Sequence, residues 1–159
     1  MSFLDLDERL IQIAEKASLV YSPLVDIKTF PDWVDLTLVE GAVSNMEDWE
    51  KIRNVRQHTH TLVSLGDCAI TGNVPSMRNQ FSANAVLERS YHENIELYPQ
   101  IPRDMVPHLL ARVRPVHEVV KVDVFIPGCP PPADAIFFAL SELLEGRTPD
   151  LSAYTRFGS

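Results

Sequence analysis

Two segments of the chain follow one plan, and it narrows the folds open to them. An apolar, β-favouring run is cut off at a glycine, and a cysteine comes directly after the break. In residues 61–77, TLVSLGDCAITGNVPSM, the run is Leu62, Val63 and Leu65; Gly66 stops it, and Asp67 and Cys68 follow. Residues 122–134, VDVFIPGCPPPAD, repeat the scheme with Pro127-Gly128 and Cys129. The chain has no other cysteine. Aliphatic and β-branched runs without a breaker predict strands, so each thiol is expected just past the carboxyl end of a strand. In open α/β sheets that is the edge where ligands bind. Two thiols at matched strand ends, each beside a glycine, point to cofactor ligands. The competing reading is a pair of buried free cysteines, because cysteine is among the most buried residue types.

The rest of the chain alternates helix and strand. Ser2 is placed to cap a helix with Asp5, Asp7 and Glu8 in its first turn, where acids suit the helix dipole. Leu6, Leu10, Ile13, Ala14 and Ala17 then recur at helical spacing along one face. A loop around Pro23 and Pro31 leads to residues 33–39, WVDLTLV, a strand that runs into Glu40-Gly41-Ala42-Val43. Ser44 with Glu47 is a capping-box pattern, and the helix it opens carries Met46, Trp49, Ile52, Arg53 and Arg56. Between 79 and 107 the pattern weakens. Residues 83–91 read as a short helix, Pro99, Pro102 and Pro107 impose loop, and 108–112 read as a helical turn. The last strand is expected at 121–126. Pro130 to Pro132 suit the entry of a helix over 133–145, with Ile136, Phe137, Leu140, Leu143 and Leu144 buried and Gly146 ending it.

Strands at 33–39, 61–65 and 121–126 separated by helices predict an α/β chain: a flavodoxin-like, mostly parallel sheet with helices on both faces. One domain over 1–146 is expected, with 147–159 as an irregular surface tail. Because the sequence opens directly on a helix, the first strand of such a sheet is expected to be lacking. A chain of 159 residues is long enough to bury a core. Its net charge of −8 argues against nucleic acid or an anionic membrane as partner. The longest apolar run, 135–140, falls far short of the ~20 residues of a membrane span. An acidic N-terminus without a signal pattern predicts a cytoplasmic location, where thiols stay reduced or bind metal. No P-loop, G-x-G-x-x-G fingerprint or nucleophile triad is present.

Three motifs in order carry a resemblance: Glu40-Gly41-Ala42-Val43 after a strand; Gly66-Asp67-Cys68-Ala69 with Thr71-Gly72-Asn73-Val74-Pro75; and Pro127-Gly128-Cys129-Pro130-Pro131. Together they resemble the small, iron–sulfur subunit of nickel–iron (NiFe) hydrogenases and the related cluster-bearing 20 kDa-type subunit of respiratory complex I. Within that group the chain is most similar to small subunits of cytoplasmic, bidirectional, NAD(P)-linked hydrogenases, over essentially its whole length.

The resemblance implies a [4Fe–4S] cluster beside a NiFe centre carried by a separate large subunit. Cys68 and Cys129 would supply two of the four thiolates, one per iron. In the family the other two come from a C-x-x-C-type motif shortly before a segment like Met1-Ser2-Phe3-Leu4-Asp5, so they are expected upstream of Met1. Gly66 and Gly128 are expected to bring backbone N–H groups to cluster sulfur, and the helix after Pro130 to aim its positive end at the anionic cluster.

Glu40 has two readings of equal weight. It stands by the cluster and the large-subunit interface, as in the family, or it is a helix N-terminal acid satisfied by backbone N–H groups. With no cysteine beyond 129, at most one cluster is expected, and electrons would leave to iron–sulfur and flavin diaphorase subunits. Such a chain relays electrons and does not itself split H2. Two rivals stay open: a flavodoxin-like module holding FMN, and a cluster-free subunit that braces the large subunit. His58-x-His60 reads as a helix end and strand start ahead of a metal site. Arg78 and Asn79 read as solvated loop residues ahead of partner contacts.

Overall fold

The computed structural model describes residues 4–22 and 26–154. Along the chain run α1 (Arg9–Lys16), β1 (Val34–Glu40), β2 (Val43–Asn45), α2 (Met46–Gln57), β3 (Thr59–Leu65) and the short α3 (Asp67–Thr71) and α4 (Asn73–Ser76). Then come α5 (Ala83–Glu88), β4 (Leu109–Arg114), β5 (Val124–Ile126) and α6 (Ala133–Leu144). The three expected strands form a parallel sheet in the order β1-β3-β5, and β2 pairs with β4 in a separate two-stranded ladder.

β3 is central because its side chains are apolar toward both faces. Leu62 and Val63, which point opposite ways, are both fully buried, and a near-continuous apolar run is what a parallel strand covered on both sides requires. On one face Val63, Leu65, Val124 and Ile126 pack with Leu6 and with Ile136 and Leu140 of α6. On the other, Leu62 packs with Val43, Ile52 and Val55 of α2, Ala69 and Val116. Each fully buried large aliphatic contributes about 1.5–3 kcal/mol. Helices therefore cover both faces, as the sequence predicts. The α1 helix lies along α6 through half-buried Leu10 and Ile13, with Arg9–Asp134 at 2.7 Å and Lys16–Glu145 at 3.2 Å on the rim. Exposed pairs of that kind contribute little; the burial of Leu6 holds this end down.

The entry of β5 is fixed by a charge. Asp123 Oδ2 accepts the Leu62 N–H at 2.9 Å and an Arg56 Nη1 proton at 2.5 Å. Arg56 Nη2 also donates to the Thr59 and His60 carbonyls at 2.7 and 2.9 Å. Burial alone would push the Asp123 carboxyl up; hydrogen bonds from Leu62, Arg56 and Lys121 outweigh it and hold the group below its ordinary value.

Departures from the expected elements come from long-range pairing and one-residue shifts. Residues 108–112 are not a helical turn: Leu109–Arg114 is β4, antiparallel to β2, with Val43 opposite Arg114 and Asn45 opposite Leu109. Because β2 runs through Asn45, α2 starts later than the Ser44 box would place it. Asn45 Oδ1 accepts the Asp48 N–H at 2.8 Å, and Asp48 Oδ2 accepts from the Ser44 N–H and hydroxyl, so Asp48 and not Glu47 is the acid of the cap. Ser2 lies outside the described residues. Asp5 sits in a 3-10 turn (Leu4–Leu6), Asp7 takes φ +48°, and α1 begins at Arg9, so these acids precede the helix. Ala14 and Ala17, expected on its buried face, are exposed. The last strand shortens to Val124–Ile126 because Val116–Glu118 forms a 3-10 turn and Asp123 reaches back to β3. Past Gly146 the chain is irregular through residue 154 but not wholly on the surface. Leu151 joins the core, and Tyr154 stacks on Phe138 with ring centroids 4.6 Å apart.

Candidate functional site

In the parallel register Glu40 lies opposite Leu65, and Leu65 opposite Ile126, so the three strands end in a row. Each is followed by a glycine with left-handed φ: Gly41 at +83°, Gly66 at +81° and, after Pro127, Gly128 at +139°. That region strains residues with a Cβ. At one of the positions contact forbids one as well: a Cβ on residue 128 would meet Pro131 Cα at 2.5 Å, whereas one on residue 66 would sit in ordinary contact, 3.5 Å from the Gly128 carbonyl oxygen. The backbones of the two cysteine loops thus touch, with buried Pro131 packed beneath them.

Three hydrogen bonds carry the β3–β5 pairing past the strands and join these loops. The Gly66 N–H donates to Ile126 O (2.8 Å), and the Asp67 N–H to Gly128 O (2.9 Å). The Gly128 N–H donates back to Asp67 Oδ1 at 2.8 Å. Cys68 follows Asp67 in α3 and is half-buried; Cys129 follows Gly128 and is exposed; both are free thiols. The two cysteines singled out from the sequence therefore sit on loops bonded to each other. The Gly66 and Gly128 N–H groups themselves donate across the loop pair, because sheet-like pairing continues beyond the strand ends.

Glu40 shares this edge. It is exposed, and among the described residues no hydrogen bond or ion pair holds its side chain. β2 separates it from α2, so it is not the N-terminal acid of that helix. α6 opens at Ala133 without a side-chain cap on its first amides. Two soft sulfur donors on adjoining loops suit an iron–sulfur cluster better than a hard cation. Among the described residues no group of three or more His, Cys, Asp or Glu is placed to hold a metal ion. The edge thus fits a four-thiolate cluster as one half of its ligand set.

The other sequence candidates fall elsewhere. His58 Nδ1 lies 2.8 Å from the Asn54 carbonyl at the C-terminal end of α2, and exposed His60 stands beside Trp33. Arg78 and Asn79 turn inward and are not solvated loop residues. Arg78 Nη2 donates to Ser44 O (3.0 Å) and Leu110 O (2.9 Å), one on each strand of the β2–β4 ladder. The Asn79 amide both donates to Val113 O and accepts its N–H, at 2.9 and 2.7 Å. They tether the segment after Cys68 to that ladder. Sequence reasoning gave Asp67 no role; the one available signal was an acid directly after a strand-ending glycine. Grooves of about 740 Å³ along residues 5–11 and about 280 Å³ beside Tyr91 and Tyr98 touch neither cysteine. The segment that follows Cys68 carries Val74, Met77 and Phe81, which are 61%, 65% and 63% exposed.

Residues 1–143 match the family model described as NADH ubiquinone oxidoreductase, 20 Kd subunit. The delta subunit of the NAD-reducing hydrogenase HoxS of Cupriavidus necator is 42% identical over 161 residues, covering 95% of this chain and 75% of that protein. One vhu subunit of the F420-non-reducing hydrogenase of Methanocaldococcus jannaschii is 33% identical over 153 residues, covering 95% of this chain and 53% of that protein. This chain thus spans about half the methanogen protein. A chain in the crystal structure of an NAD+-reducing [NiFe]-hydrogenase in the H2-reduced state superposes with a TM-score of 0.93 at 40% identity, covering 99% of this chain and 90% of that one.

Proposed function

Since the chain belongs to the NADH ubiquinone oxidoreductase 20 Kd subunit family, with hydrogenase subunits among its relatives, we propose that it is the electron-transfer subunit of a cytoplasmic NAD(P)-linked NiFe hydrogenase. It is a non-catalytic part of an oxidoreductase. It relays electrons between a NiFe site on a large subunit and a diaphorase unit, through one [4Fe–4S] cluster. The observation that carries this reading is the pair of cysteine loops bonded together at the carboxyl edge of the sheet.

When bound, the cluster supplies one-electron transfer. The chain's own residues do the rest. Cys68 and Cys129 provide two of the thiolates, and the other two come from residues other than those described. Glycine at 66 and 128 keeps side chains from crowding the edge, and Glu40 stands beside the ligands at the end of β1. Half-burial of Cys68 shields that ligand from water on the chain's side.

The neighbouring surface supports a protein partner over that edge. Residues 68–87 contain no aspartate or glutamate, although the whole chain has 22. Exposed Val74, Met77 and Phe81 lie within that stretch. Depletion of charge with enrichment of methionine and aromatic residues is the composition of an interface core, and we assign this face to the large subunit.

Iron and acid-labile sulfide, measured on the chain purified with its co-expressed partners, test the reading. About four of each per chain are expected, falling below half in Cys68→Ser and in Cys129→Ser. Intact clusters in both variants would overturn the ligand assignment.

A further inference from the structure

We infer that Asp67 is a positioning residue that holds the Cys68 and Cys129 loops in register for their shared ligand. The inference rests on the cluster reading above. Asp67 is the residue before Cys68, and Gly128 is the residue before Cys129. The Asp67 N–H donates to the Gly128 carbonyl at 2.9 Å, and the Gly128 N–H donates to Asp67 Oδ1 at 2.8 Å. One bond between two loops leaves a hinge. Two bonds in opposite directions remove it, so the direction in which the backbone leaves Gly128 toward Cys129 is set from the Cys68 side.

The Cys129 loop has few other means of being held. In Pro127-Gly128-Cys129-Pro130-Pro131-Pro132 the prolines have no N–H, so Gly128 and Cys129 supply the only amide donors. Gly128 gives its donor and its acceptor to the same residue, Asp67. The side chain doing this is a carboxylate, and a hydrogen bond to an ionised acceptor is about twice as strong as a neutral one. A carboxylate fixed one residue from each ligand also places a negative charge beside the cluster. It makes adding an electron harder and so lowers the reduction potential. Holding the loops and biasing the potential are separable, because asparagine keeps the Oδ1 acceptor and drops the charge.

The test uses hydrogen exchange and redox titration on wild type, Asp67→Asn and Asp67→Ala, each as the full chain with its co-purified partners. A proteolytic peptide covering 126–132 reports only Gly128 and Cys129, which makes the readout local. In Asp67→Ala, exchange there should rise at least about tenfold while β3 stays protected, and cluster iron should fall. Asp67→Asn should stay within about threefold of wild type in exchange and keep its iron, yet titrate at a higher midpoint potential. Wild-type exchange and iron in Asp67→Ala would overturn the inference, as would Asp67→Asn failing as badly as Asp67→Ala. If Asp67→Ala loses protection throughout, Asp67→Asn decides alone: retained Gly128 protection supports the inference, and Gly128 protection lost while β3 stays protected overturns it. Wild type without iron or labile sulfide would sink the cluster reading, and the exchange arm would still report whether Asp67 holds the Cys129 loop.

Discussion

Replacing Asp123 with alanine should destabilise the sheet at the point where its third strand enters. The Leu62 N–H belongs to a residue that is 0% exposed, and its hydrogen goes to Asp123 Oδ2 at 2.9 Å. Orphaning a buried donor costs about 1–3 kcal/mol. The Arg56 and Asp123 side chains are 23% and 24% exposed, so their ion pair is partly shielded and adds about 1 kcal/mol. Arg56 keeps its bonds to the Thr59 and His60 carbonyls, which limits the loss. The sum is about 2–4 kcal/mol, roughly 5–15 °C in Tm for a chain of this size.

The pH dependence follows from the direction of the Asp123 shift. Its carboxyl is held below the ordinary value of 3.8 in the folded chain. The contribution of its charge is therefore complete above that value and is lost as pH falls through the lower, folded one. The gap between wild type and Asp123→Ala should be full at pH 7 and narrow in acid below 3.8 by its charge-dependent part, the ion pair with Arg56, while a neutral carboxyl can still accept the Leu62 N–H. Urea unfolding followed by Trp33 and Trp49 fluorescence across that range measures both. A variant within about 0.5 kcal/mol of wild type at pH 7 would refute the reasoning, and so would a gap that does not narrow in acid.

Gly128→Ala places a Cβ 2.5 Å from Pro131 Cα at φ +139°, whereas Gly41→Ala at φ +83° meets nothing within 4 Å. Denaturation should show a loss above about 2 kcal/mol for the first and about 1 kcal/mol for the second. Asn79→Ala leaves both backbone groups of buried Val113 without their partner, and a loss of about 1–3 kcal/mol is expected by the same assay. Leu151→Ala opens a cavity beneath α6 and should cost about 2–3 kcal/mol in urea unfolding, where a purely surface tail would give no change.

The strands of the parallel sheet were legible because each is an apolar run with a glycine stop, and β3 is apolar enough to announce two-sided burial. α6 was legible from three prolines at its entry, an apolar face and Gly146 at its end. β4 was not, because LLARVR has no clear period of its own and becomes a strand only by pairing with Val43 and Asn45, far upstream. The same distance hid Arg78 and Asn79: a cation and an amide in a polar loop look solvated until the ladder whose carbonyls they bind is in place. The cysteines stood out by position, but the use made of the glycine amides did not, since that depends on two loops meeting. Asp67 was unread for the same reason. Its partner is 61 residues away, and local pattern carries no information over that distance.

That separation bears on how the chain tolerates change. The closure joining the Asp67 and Gly128 loops spans 61 residues, and lengthening a loop already that long is inexpensive: doubling it raises the entropic cost by only about 0.6 kcal/mol. Most of residues 94–107 is exposed and irregular, and that stretch lies within the span. Insertions there leave both bonded ends untouched. This segment is accordingly the place to add an affinity tag or a spectroscopic label, and the place where related chains are free to differ in length while presenting the same pair of thiols.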